Sequence, residues 1–323
     1  MGILTRRRRL NIMKIPRKVY PYRLPYMGSK QNIAYSIMMA IAQKKPKAKY
    51  FFDIFGGGAS MSLMAQQFGL KVYYTEKDGG IVNLLNFLKD NKIPKEWIKW
   101  IDREEFKKCL SKDDPYSVFV TVVWSFGNSR QAYLYGKDIE ELKRLAFEVI
   151  VNQDVSCLKQ LQEITGLKLT MPKEKNMHDR RLNFSKQIKS VKGCTRGIGS
   201  LTSMQCLAQL ECCSRLAQLE RLQQLEYLQQ LEYDNDEVII YCDPPYRGTA
   251  EYKETDFNPK EFDEWVRKLK YDVFISEYNC PFEKIASFGK MSLLNNKKEK
   301  KPLITENLYL HKTENEKCKI RET

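Results

Sequence analysis

The sequence predicts an α/β fold, and three stretches predict it. Residues 50–55, Tyr-Phe-Phe-Asp-Ile-Phe, form a short aromatic and β-branched run. It enters Gly56-Gly57-Gly58 and then a helical pattern over 59–68. Residues 71–75 form a second such run, ending at Glu76. Residues 238–241, Val-Ile-Ile-Tyr, form a third, wholly apolar run that stops at Asp243-Pro244-Pro245-Tyr246. Strand, glycine turn and helix in succession is how a parallel sheet opens a ligand site at the carboxyl end of a strand. The two prolines remove two backbone donors, so the third strand cannot continue past Asp243. They leave a carboxylate, fixed carbonyls and an aromatic ring at its tip, a set suited to gripping the amine of a flat base.

The elements follow in order. Residues 1–19 read as a basic arm containing Arg6-Arg7-Arg8-Arg9. Pro25-Tyr26-Met27-Gly28-Ser29-Lys30 reads as a turn, with Ser29 placed to cap a helix over 30–43. The apolar face of that helix is Ile33, Ile37, Ala40 and Ile41. A Gly-Ser-Lys before a helix can meet an anion through backbone donors, although the spacing is not that of a Walker loop. Three glycines at 56–58 let a ligand approach the backbone closely, without the G-x-G-x-x-G dinucleotide pattern. Glu76 lies about 20 residues beyond the loop, the separation at which such folds set an acid against a ribose. A helix over 80–90 follows, with Ile81, Leu84, Leu85 and Leu88 on one face.

From residue 91 the pattern turns aromatic and basic, with Trp97, Trp100, Trp124 and Tyr133 among lysines and arginines. This reads as an inserted, largely helical domain. Residues 125–131 read as a loop containing Ser125, Asn128, Arg130 and Gln131; Asn, Arg and Gln are side chains that read base edges. Residues 168–198, which include Arg180-Arg181, read as a basic insertion with few helix or strand signals, suited to a phosphate backbone. Residues 205–233 repeat leucines at 207, 210, 216, 219, 222, 225, 228 and 231. A three-residue step walks around an α-helix. A helix packed on several sides, a strand-turn solenoid or a low-complexity spacer all fit, and no catalytic role is assigned. Beyond the tetrapeptide come a loop at Arg247-Gly248-Thr249, a helix over 259–269, a strand over 272–278, a turn at 297–301 and a last strand over 306–310.

Composition narrows the partners. The 323 residues carry 55 basic and 40 acidic side chains, a formal charge of +15. That surplus calls for a polyanion: nucleic acid first, an anionic surface second. Nine cysteines without paired C-x-x-C spacing, and only two histidines, His178 and His311, predict neither a disulfide framework nor a metal site. They fit a reducing, cytoplasmic setting. No stretch reaches the roughly 18 apolar residues of a membrane span, so no membrane association is expected.

Taken together in this order, the motifs resemble the Dam-like family of DNA adenine-N6 methyltransferases, over residues 20–90 and 236–315. Tyr26-Met27-Gly28-Ser29-Lys30 is similar to the family's amino-terminal cofactor motif. Asp53-Ile54-Phe55-Gly56-Gly57-Gly58 is similar to its S-adenosylmethionine loop, and Glu76 to the acid on the cofactor ribose. Asp243-Pro244-Pro245-Tyr246 is similar to the catalytic tetrapeptide, and Ile275-Ser276-Glu277-Tyr278 to the segment after it. The family usually has an acid followed by an aromatic just upstream of the catalytic strand. Here the leucine repeat runs almost straight into the strand, with Asp234 and Asp236 the nearest acids.

The resemblance implies a Rossmann-like methyltransferase fold with a mostly parallel sheet. It divides the chain into the arm (1–19), a catalytic domain (20–90 and 236–323), an inserted target-recognition domain (91–200) and a leucine-rich spacer (201–235). It implies S-adenosylmethionine as cofactor, held by Tyr26, Lys30, Asp53, Phe55, Gly56, Gly57, Gly58, Glu76 and Asp243, with Lys30 and the glycine amides on the methionine carboxylate. It implies double-stranded DNA as partner, met by Ser125, Asn128, Arg130, Arg180 and Arg181, and a cognate restriction endonuclease or none. Asp243 and Pro244 would then accept the hydrogens of the target amine, with Pro245 stiffening the turn and Tyr246 stacking on a flipped base. A cytosine-N4 or RNA-adenine methyltransferase, and a catalytically silent DNA-binding protein, are the alternatives on the same fold.

Overall fold

The computed structural model describes residues 13–19, 24–190, 196–214, 223–224, 232–247, 257–291 and 303–313. It divides into two units. One comprises Met1–Tyr22, Ser29–Lys77 and Leu219–Thr323; the other comprises Arg23–Gly28 and Asp78–Gln218.

The first unit is α/β. Its strands are β1 (Tyr50–Asp53), β2 (Lys71–Tyr74), β3 (Gln223–Gln224), β4 (Val238–Cys242), β5 (Val273–Glu277), β6 (Glu283–Met291) and β7 (Leu303–His311), in the order β3-β2-β1-β4-β5-β7-β6. β1 pairs in parallel with β2 and β4, and β4 with β5. β7 runs antiparallel to both β5 and β6. From β1 the chain moves outward to β2 on one side, then returns to β4 on the other. The strand order therefore reverses between β1 and β4.

Both faces of the central sheet are covered, as the unbroken apolar runs require. All five residues of β4 and all five of β5 are buried. Phe52, Val238, Ile240, Val273 and Ile275 form one core with Phe262 and Val266. The latter two come from the helix Pro259–Lys268 (here α11), started by the Asn258 cap on Lys260 N and by Pro259 in its first turn. Phe51, Ile239, Tyr241 and Phe274 alternate with that set and are equally buried. Helix α2 (Ser60–Gln67) packs on β1 and β2, and α1 (Ala34–Lys44) packs on α2. Ser29 does not cap α1. The position before that helix is Ile33, without a side-chain cap, and Ser29 Oγ instead accepts from Gln31 N within the preceding turn.

The second unit is helical, with α3 (Gly79–Asp90), α4 (Arg103–Cys109), α5 (Pro115–Val123), α6 (Lys137–Val151), α7 (Val155–Thr165), α8 (Met177–Lys189), α9 (Arg196–Ser200) and α10 (Gln205–Ser214). Aspartates cap α3, α4, α5 and α7 through Asp78, Asp102, Asp114 and Asp154. Phe119, Trp124, Phe147 and Phe184 are fully buried. The expected boundary at residue 90 is corrected. α3 packs against α5, so its apolar face belongs to the helical unit, and the division falls between Lys77 and Asp78.

Two further expectations change. The basic stretch 168–198 contains a regular helix, α8, capped by Asn176. The leucine-rich segment is not one spacer. Its first part is α10, within the helical unit, while Gln223 and Gln224 pair in parallel with Tyr73 and Tyr74 at the sheet edge. The remaining repeat leucines from 216 to 231, most of the arm (1–12), and the loop at Gly248-Thr249 lie outside the described residues. Among the described residues, no helix is long and apolar enough to cross a membrane.

Candidate active site

The candidate residues of the first unit gather at the carboxyl ends of β1, β2, β4 and β5. β1 ends at Asp53 and β4 at Cys242, directly before Asp243. The glycine loop leaves β1 with Gly57 at φ +47° and Ala59 at φ +61°, a tight left-handed turn into α2. Glu76 Oε2 accepts from Gly57 N at 2.8 Å, and the Tyr74 hydroxyl donates to Gly57 O at 2.6 Å. Glycine loop and acid, separate in sequence, are thus one hydrogen-bonded structure.

Gly56 is there for space. A Cβ on it would stand 2.0 Å from the ring of Tyr74, itself 2% exposed. Gly56→Ala must displace a buried ring and its bond to Gly57, an overpacking that costs about 2–3 kcal/mol. We expect the urea midpoint to fall accordingly, with an unchanged slope; an unchanged midpoint would contradict this packing.

Asp53 is buried at the end of β1. Its Oδ2 accepts from Ser62 N (3.1 Å) and Ser62 Oγ (2.6 Å), while Oδ1 is buried without a hydrogen-bond partner. Burial pushes its carboxyl up to about 7, against the pull of Ser62 and with the help of the Asp243 and Glu76 charges. Asp243 shows the same asymmetry. Its Oδ2 sits 2.6 Å from Lys30 Nζ, and its Oδ1 is buried without a hydrogen-bond partner. Burial raises the Asp243 carboxyl to about 6, against the pull of Lys30.

Lys30 is the centre of this cluster rather than a separate anion site. Its ammonium bridges Asp243 and, at 3.3 Å, Glu306 Oε1, and lies 4.8 Å from the Tyr246 ring centroid. Burial works against its charge, but Asp243 and Glu306 outweigh burial and raise it above the usual lysine value. Lys30, expected on a methionine carboxylate, thus meets two acids of the chain itself. The Tyr246 hydroxyl donates to Glu306 Oε1 at 2.7 Å, and its ring meets Tyr278 edge-on at 4.6 Å. Pro244 is buried and Pro245 half-buried. On β5, burial raises the Glu277 carboxyl, which accepts from Tyr278 N and Arg247 N.

Beside the glycine loop is an open cleft of about 350 Å³ lined by Ile54, Phe55, Phe257, Phe262 and Trp265, with Asn258 and Glu261 as its polar members. Phe55 meets Phe257 and Phe262 edge-on at 5.9 and 5.8 Å. Flat aromatic walls with two polar groups suit a heteroaromatic ring. The buried orphan carboxylate oxygens of Asp53 and Asp243 suit a ligand with positive charge and N–H donors. These are features that S-adenosylmethionine, the cofactor expected from the sequence, possesses. Asp234 and Asp236 do not contribute. Asp234 caps the turn before β4, at the amino end of that strand, by accepting from Asp236 N, and Asp236 pairs with Lys47. The five residues of β4 separate them from Asp243 by roughly 17 Å.

The remaining candidates lie in the second unit, Tyr26 among them as a half-buried residue. Ser125, Asn128 and Arg130 build a braced loop. Ser125 Oγ accepts from Arg130 N, Asn128 Oδ1 accepts from Gln209 Nε2, and the Arg130 guanidinium is bound to Asp78 and Thr121. Phe126, on the same loop, is 60% exposed. Arg181, expected on a phosphate backbone, is paired with both oxygens of Glu211, tying α8 to α10. Arg180 is half-buried, its Nε without a hydrogen-bond partner.

The principal residue missed is Glu306. A signal for it existed: Glu306, Leu308 and Leu310 share one strand face, and all three are buried. An acid on an otherwise apolar strand face is a buried acid that needs a partner. Compared with known proteins, the chain matches no family model and no curated protein.

Proposed function

We propose that the protein is a DNA methyltransferase that transfers a methyl group from S-adenosylmethionine to the N6 amine of adenine. One observation carries the reading. Two buried carboxylate oxygens without hydrogen-bond partners, on Asp53 and Asp243, stand at the adjoining carboxyl ends of β1 and β4, where the strand order reverses. That crevice is where doubly wound sheets bind nucleotide-like ligands, and the core order 3-2-1-4-5 is one that such sheets use. A Rossmann-like methyltransferase sheet accommodates this order, with β7 reversed between β5 and β6.

The aromatic cleft would hold the cofactor's adenine, Glu76 its ribose, and the Gly56–Gly58 backbone its methionine carboxylate, while Asp53 offsets its positive charge. S-Adenosylmethionine, when bound, supplies a methyl group on a sulfonium; the amine forms the new N–C bond, the C–S pair returns to sulfur, and the amine then loses one proton. Asp243 Oδ1 and the Pro244 carbonyl accept the two amine hydrogens, which frees the nitrogen lone pair from the ring. Asp243 stabilises the positive charge that develops on nitrogen and takes the departing proton at Oδ1. A carboxyl near 6 is largely ionised at neutral pH yet remains basic enough for that task. The Tyr246 ring stacks on the base, which must leave the duplex to reach the crevice. The +15 charge favours the DNA polyanion.

The test uses the full chain, methyl-labelled S-adenosylmethionine and duplex DNA, followed by digestion to nucleosides. Labelled N6-methyladenine is the expected product. Labelled N4-methylcytosine would reassign the base, and no label with DNA binding retained would make the protein a silent binder.

A further inference from the structure

We infer that Glu306 is a positioning residue of this site: through Lys30 and the Tyr246 hydroxyl, it fixes which oxygen of Asp243 faces the target amine and sets the charge around it. The inference rests on the methyltransferase reading of the tetrapeptide. Glu306 enters from β7, the strand that runs against its neighbours, and so brings an acid to the carboxyl ends of strands parallel to one another.

The geometry is specific. One oxygen, Glu306 Oε1, accepts from the Tyr246 hydroxyl at 2.7 Å and lies 3.3 Å from Lys30 Nζ. Lys30 Nζ lies 2.6 Å from Asp243 Oδ2. The ring, the ammonium and the carboxylate are therefore indexed to a single atom. With Oδ2 held by Lys30, only Oδ1 of Asp243 is left to receive an amine hydrogen.

The charge count points the same way. Lys30 and Asp243 would balance each other alone. Glu306 adds a second carboxylate, with side-chain exposure of only 3%, and a buried surplus acid is costly unless it is used. Its charge beside Lys30 keeps Asp243 basic. The groups facing Asp243 are Lys30, Glu306 and Tyr246, with Tyr241 of β4, Asp53 of β1 and Glu277 of β5 acting at longer range. Of these, Glu306 opposes Lys30 most directly, and its charge raises the Asp243 carboxyl.

The experiment is a carboxyl ¹³C NMR titration of the ligand-free full chain, with the Asp243 signal identified by its loss in Asp243→Asn. In Glu306→Gln the Asp243 midpoint should fall, a weakening of proton affinity by about three- to tenfold; in Lys30→Gln it should rise. The acid limb of the pH–kcat profile should move with it in each variant, while KM for DNA should change little in Glu306→Gln, whose amide oxygen can still accept from the Tyr246 hydroxyl. A merely structural Glu306 would move neither midpoint nor limb. Glu306→Asp keeps the charge but shortens its reach; it should give the same directions at smaller size and serves if the Gln variant does not fold. An active wild type whose Asp243 midpoint and acid limb are unmoved by these changes at Glu306 overturns the role alone. A wild type that transfers no methyl group overturns the underlying reading as well.

Discussion

Asp243→Asn should lower methyl transfer at least about 10³-fold while leaving the affinity for S-adenosylmethionine within about threefold. The substitution is nearly isosteric, so the prolines and Tyr246 keep their places. What changes is the sign of the hydrogen-bonding groups. An amide at 243 has one acceptor and one two-hydrogen donor. Lys30 will claim the acceptor, because its ammonium can only donate and lies 2.6 Å from the present Oδ2. The amide nitrogen then replaces Oδ1 and points hydrogens at the hydrogens of the target amine. The lone pair stays in the base, and no carboxylate meets the charge on nitrogen. Lys30 keeps Glu306 as an anionic partner, so the fold should survive the change. Single-turnover transfer and cofactor calorimetry on the same preparation check both halves. A rate within about tenfold of wild type would remove Asp243 from the chemistry. Equal losses in rate and cofactor affinity would instead make it a binding residue.

Much of this site was legible from local pattern, because local pattern is what builds a strand tip. The apolar run before Asp243, the glycines after β1 and the acid after β2 are each dictated within a few residues. The parts that were not legible depend on distant partners. Lys30 looked like an anion-binding lysine because its sequence neighbours are a turn and a helix. Its real partners come from the tip of β4 and from β7. Arg181 looked like a phosphate contact until Glu211 of α10 met it. α8 was hidden because few of its positions carry core residues, Phe184, Ser185 and Ile188 being its buried ones. α10 was hidden for a different reason. Counting leucines alone gives a step of three, but its buried positions include Cys206, Leu207, Leu210 and Cys213. Those offsets are the i, i+1, i+4, i+7 face of an ordinary helix, with cysteine serving as a small hydrophobe.

Stability should decline as pH rises between about 4 and 7, and Asp53→Asn should remove much of that decline. The Asp53 carboxyl is pushed up to about 7 in the fold, against 3.8 as the ordinary value. Between those values the unfolded chain has released the proton and the folded one still holds it. The unfolded state then binds fewer protons, so the unfolding free energy falls with rising pH. The full span is of order 4 kcal/mol, of which about 2.5 kcal/mol falls between pH 5 and pH 8. The contribution is fully favourable below the unfolded value and levels off above the folded one. Urea titrations at pH 5 and pH 8 should show a decline in wild type that exceeds the one in Asp53→Asn by about this amount; parallel shifts in the two proteins would refute the assignment. Asp243, raised by the same burial, contributes a smaller decline of the same sign that the variant retains. The orphan Oδ1 links this to function. A cationic ligand that fills the crevice favours the ionised form of Asp53, so binding near pH 6.5 must release a proton. Calorimetry in buffers of different ionisation enthalpy should detect that proton with S-adenosylmethionine. The release should fall sharply in Asp53→Asn, whose amide has no proton to lose, leaving only the smaller share of Asp243.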